Sequence, residues 1–138
     1  MDSILIAILA IVLIAAVILL AGITRLSRQK TGLDRAYYQA EWRAIEKFKS
    51  DGGAAWQLAV LEADKLLDHA LKAKGITGET MGERLKSARQ IFRNNDAIWY
   101  AHKLRNRLAH ENSVKLNRVV VEKALRGFKT GLKDVGAL

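Results

Sequence analysis

Three side chains able to handle a phosphate and a proton stand within one short run, WYAHKLRNRLAHENS at residues 99–113: Arg105, Asn106 and His110. A guanidinium presents a rigid fork of donors that suits phosphate oxygens. An imidazole gains and loses a proton near neutral pH, and an amide beside them can orient either group. On a helical wheel Ala97, Ala101, Leu104 and Leu108 share the apolar face, and Arg105 borders it. His102, Asn106 and His110 follow at i, i+4 and i+8 as a polar stripe beside that face, while Lys103 and Arg107 point further toward solvent. Arg105 and His110 fall about 140° apart on an ideal helix, so bringing both to one substrate requires a distorted last turn or a second copy of the chain.

Composition narrows the chemistry. Without cysteine there are no disulfides, thiolate metal sites or cysteine nucleophiles. His69, His102 and the acids show no accepted metal-ligand spacing, so neither a metal nor another cofactor is expected. All 23 lysines and arginines follow Thr24, as do all but Asp2 of the 14 acids, and the chain carries a net charge of +9. A small domain this basic attracts polyanions, which leaves RNA, DNA and the anionic face of a membrane as expected partners.

The elements that must position these residues are helical. Residues 3–24, SILIAILAIVLIAAVILLAGIT, contain no charge and at 1.5 Å per residue reach about 33 Å, which predicts a transmembrane anchor over 1–24. Arg25, Arg28 and Lys30 in the juxtamembrane linker 25–30 predict an outside N-terminus and a cytoplasmic C-terminal domain, and they could also rest on anionic lipid. Residues 31–138 then read as a compact antiparallel bundle of about five helices with short connections. The first opens at a capping-box-like Thr31/Asp34 and carries Leu33, Tyr37, Ala40, Ala44 and Phe48. The second has the clearest stripe, Trp56, Ala59, Val60, Ala63, Leu67, Ala70 and Leu71, with Gly75 at its end. The third starts at Thr80/Glu83 and turns Leu85, Ala88 and Phe92 inward, and the fourth runs from about Asp96 to about His110. The fifth begins at Asn117 and carries Val121, Leu125, Phe128 and Leu132. The fold class expected is therefore all-α, a single transmembrane helix followed by a five-helix bundle.

With its Arg105, Asn106 and His110, the run RNRLAH late in the fourth bundle helix resembles the motif of the HEPN superfamily, an arginine, often followed by a polar residue, with a histidine four to six positions on. The resemblance covers roughly Thr31 to Leu132. Many members are metal-independent ribonucleases, and by family logic two copies of the motif meet across a homodimer interface to form one RNA-cleaving site. The resemblance implies that His110 acts as general base on a ribose 2′-hydroxyl or as acid toward the leaving oxygen, that Arg105 stabilises charge on the phosphate, and that Asn106 positions either group. Two features depart from the pattern. Several toxin-type members carry Tyr two residues after the histidine, where this chain has Asn112, and Glu62, Asp64 and Asp68 all compete for the auxiliary acid of some members. The alternative function is a non-catalytic, membrane-tethered scaffold that binds nucleic acid or protein.

Overall fold

Six helices carry the chain: α1 (Asp2–Gln29), α2 (Arg35–Asp51), α3 (Ala54–Ala73), α4 (Met81–Ser87), α5 (Asn95–His110) and α6 (Arg118–Asp134). The computed structural model describes residues 2–29, 32–111 and 113–138, and within α1 it leaves out the side chains of residues 2, 5 and 23–29. Thr31, Lys30 and Asn112, each singled out in the sequence, lie outside the described residues, as do the side chains of Arg25 and Arg28. No strand occurs among the described residues, which agrees with an all-α class. The chain divides into two units, Met1–Gly32 and Leu33–Leu138.

The first unit corrects the sequence reading. Among the described residues no helix is long and apolar enough to cross a membrane. The expected single-pass membrane anchor is therefore not supported, and neither is the placement built on it, with the N-terminus outside and the C-terminal domain cytoplasmic. The helix also runs through the stretch expected to be a linker, as far as Gln29.

In the second unit α3 is the central element, packing against α2, α4, α5 and α6. Its stripe is why: Ala59, Val60, Ala63, Leu67, Ala70 and Leu71 are all fully buried, and Gly75 supplies the left-handed residue (φ +77°) that ends the helix. Local caps fix the other boundaries. Asp34 caps α2 by accepting from Tyr37 N at 3.1 Å, Thr80 caps α4 through Glu83 N at 3.2 Å, and Asn117 caps α6 through Val120 N at 2.9 Å. Asn94, rather than Asp96, caps α5 through Ala97 N at 3.0 Å. The core face of α2 is Tyr38, Trp42 and Ile45, one position round the helix from the face that Tyr37, Ala40 and Ala44 would form.

The pairing of α5 with α6 depends on a missing side chain. A Cβ built on Gly127 would stand 2.4 Å from the carbonyl oxygen of Ala97 and 3.4 Å from the Ala101 side chain. Only glycine lets the two backbones approach this closely. At Gly131 the nearest atoms are the yielding side chains of Leu67 and Ile98. Gly127→Ala should therefore lower stability by about 1–3 kcal/mol despite alanine's better helix propensity. Thermal unfolding checks this, and the loss should exceed that of Gly131→Ala.

Candidate functional site

A cleft of about 680 Å³ opens between α3, α4 and α5. Its floor is built from two side chains that a helical core rarely holds. Asp64 sits among the apolar residues of α3 at 4 % exposure, and His102 lies on the inner face of α5 at 7 %. A carboxylate removed from water is costly unless donors meet it. His102 Nδ1 lies 2.7 Å from Asp64 Oδ1, and Arg105 Nε lies 3.3 Å from Asp64 Oδ2. The first contact is a short hydrogen bond. The second is an ion pair in which the Nε–H does not line up on the oxygen, so the guanidinium is held near Asp64 without being fully committed to it.

Asn106 closes the arrangement. Its Oδ1 accepts from Arg105 Nη1 at 3.2 Å, and its Nδ2 lies 3.2 Å from His102 Nε2. Four residues on two helices thus form a closed ring, with His102 and Arg105 both turned onto Asp64. The α5 register permits this because His102 and Asn106 are one turn apart and Arg105 is their neighbour. Trp99 meets the His102 ring edge to face, centroids 5.9 Å apart, and borders the cleft with Lys65, Lys86 and Lys103. Across the cleft the first turn of α4 contributes Thr80, Met81, Gly82 and Glu83.

The structure brings Arg105 and Asn106 together at this cleft, with Arg105 about one-third exposed. His110 does not line it; it is exposed in the last turn of α5. Of the three acids that competed on α3, Asp64 is the one beside Arg105. Asp68 is bound to Arg84, and Glu62 pairs with Lys65 at 3.6 Å on the surface. The contribution of His102 was missed by sequence reasoning, which placed it on the boundary of the core face. A signal was present in Asp64, a carboxylate at the i+4 position from Val60 within an apolar stripe. His69 is exposed as a residue, yet its Nδ1 lies 2.9 Å from the hydroxyl of the buried Tyr38. Among the described residues, no group of three or more histidines and acids is placed to hold a metal ion.

The α4 wall of the cleft is held by a second, partly buried pair. Arg84, 5 % exposed, donates from Nε to Asp68 Oδ1 at 2.6 Å and from Nη1 to the carbonyl of Gly78, while Lys72 reaches Asp68 Oδ2 at 2.7 Å. Comparison with family models, curated proteins and solved structures gives no match for this chain.

The Asp68 pair sets a pH dependence. Burial works against the charge on Asp68, but hydrogen bonds from Arg84 and Lys72 outweigh it and hold the carboxyl below its ordinary range. With the folded value lower than the unfolded one, the stabilisation is complete above the unfolded pKa of about 3.9 and is lost as pH falls through the folded value. Asp68→Asn should cost on the order of 3 kcal/mol at neutral pH, because Arg84 is left buried against a neutral amide. In thermal melts at a series of pH values, the variant should also lose less further stability than the parent below about pH 4.

Proposed function

We propose that the unit Leu33–Leu138 is a metal-independent endoribonuclease of the HEPN type, with Arg105 and Asn106 holding the scissile phosphate. One observation carries the reading: Arg105 stands at the mouth of a lysine-rimmed cleft, tethered to the buried Asp64 through an imperfectly aligned contact. A guanidinium so placed is oriented but still has donors for a phosphate. The strong positive charge draws RNA toward it. His110 is outside this cleft, so it reaches the phosphate only from a second copy of the chain, and the active species is a homodimer.

A non-catalytic RNA-binding module is the second reading. It is favoured by the position of His110 away from the Arg105 cleft within one chain. In that case Arg105 contributes affinity alone.

The full chain, incubated with single-stranded RNA in EDTA, should produce fragments ending in 2′,3′-cyclic phosphate and 5′-hydroxyl. Arg105→Ala and His110→Ala should each reduce the rate about 100-fold or more while circular dichroism stays unchanged. Absence of cleavage across structured and unstructured RNAs, with salt-sensitive RNA binding that weakens in Arg105→Ala, would instead establish the binding module.

A further inference from the structure

We propose that His102 is a catalytic residue in this reaction, the general base that removes the 2′-hydroxyl proton, and that Asp64 holds it in that role. The inference rests on the RNA-cleavage reading above and assigns a group that the Arg-Asn-His run does not contain.

The two ring nitrogens of His102 have different partners. Asp64 is a buried carboxylate and only accepts, so the nitrogen 2.7 Å from it, Nδ1, carries the proton. That leaves Nε2 as a lone-pair acceptor. A second chain of contacts reaches the same assignment independently. The guanidinium of Arg105 only donates, so the Asn106 atom beside Nη1 is the oxygen, and the atom turned to His102 Nε2 is the amide nitrogen, a donor. Both ends of the ring of contacts therefore specify an unprotonated Nε2. An imidazole bound through Nδ1 to a buried carboxylate, with Nε2 free to accept, is the arrangement in which histidine takes a proton from a hydroxyl, and the carboxylate stabilises the imidazolium that forms.

Access agrees with the electronics. Gly82 faces Nε2 from α4, and a Cβ built there would stand 3.8 Å from Nε2, 3.8 Å from Trp99 and 3.9 Å from Thr80 Oγ1. His102 and Gly82 both line the cleft, and the glycine sets no side chain against Nε2 there. In the free protein Asn106 occupies Nε2; on substrate binding the ribose 2′-hydroxyl replaces the amide N–H as donor to Nε2.

The step then balances. The 2′-oxygen gives its proton to His102 Nε2 and bonds to phosphorus, and the bond from phosphorus to O5′ breaks. O5′ takes a proton from His110 of the second copy, leaving a 2′,3′-cyclic phosphate and a 5′-hydroxyl. Arg105 meets the charge that develops on the non-bridging oxygens. Two proton carriers are needed for such a transfer, and this assignment gives one role to each histidine.

The test uses the full chain in EDTA with two substrates, an RNA oligonucleotide and uridine 3′-(4-nitrophenyl phosphate), whose nitrophenolate departs without a proton. His102→Asn and Asp64→Asn should each slow both substrates about 100-fold or more. His110→Ala should lose RNA cleavage yet keep most activity on the nitrophenyl ester. Added imidazole should raise the rate of His102→Ala at least about tenfold, a response that a purely structural histidine does not give. The proposal is overturned if His102→Asn, folded by circular dichroism, cleaves RNA within about threefold of the parent. It is equally overturned if the nitrophenyl ester restores His102→Asn as it restores His110→Ala. A parent that cleaves neither substrate overturns the RNA-cleavage reading itself, and this assignment with it.

Discussion

Asp64 has its carboxylate enclosed between α3 and α5, and the candidate site follows from how that charge is met. An isolated carboxylate in such a place would be strongly unfavourable. It is tolerated because His102 and Arg105 both turn onto it from one face of α5, one turn of helix apart at most. Meeting the charge therefore fixes the rotation of α5 against α3 and the direction of the His102 ring. It also fixes the place of Arg105 at the edge of the cleft. Asn106 then has both of its amide ends defined by its neighbours. Stability and the geometry of the candidate site are thus joined at one residue, since the contacts that compensate the buried charge are the ones that orient the groups facing the cleft.

The opposite wall works by the same logic on a smaller element. A helix of 7 residues has little independent stability. It is kept in place by Thr80 at its start, by Leu85 in the core and by Arg84 bound to Asp68 and to the Gly78 carbonyl. Behind the site, the close contact of Gly127 with Ala97 sets α5 tightly on α6. The cleft lies between a helix clamped through its backbone and one held by a partly buried ion pair.

Much of the bundle was legible in the sequence because its signals are local. The α3 stripe, the caps at Thr80 and Asn117 and the α6 stripe through Val121, Leu125, Phe128 and Leu132 depend on residues a few positions apart. On α2 the buried face is Tyr38, Trp42 and Ile45 in place of Tyr37, Ala40 and Ala44, while Leu33 and Phe48 pack against the core as expected; Trp42 can be buried because its indole finds a partner in Glu46 at 2.8 Å. Read as a membrane-spanning anchor from its apolar run, α1 is not supported as one among the described residues. At the site, the RNRLAH run and its resemblance pointed to Arg105, Asn106 and His110, of which Arg105 and Asn106 line the cleft and His110 does not. His102 escaped because its meaning depends on Asp64, 38 residues away on another helix, and no local pattern encodes that meeting.

The chain of three hydrogen bonds from Arg105 through Asn106 and His102 to Asp64 has a direction as well as a membership. Arg105 gives to Asn106, Asn106 gives to His102, and His102 gives to Asp64. Reversing one link would set donor against donor at the next, so the proton arrangement is a property of the whole circuit. Substituting any one member changes what its neighbours can do, and the coupling energy between pairs should be large compared with contacts outside the circuit. The measured effect of a single replacement here belongs to the circuit, and apportioning it among the four residues requires double-mutant cycles around it.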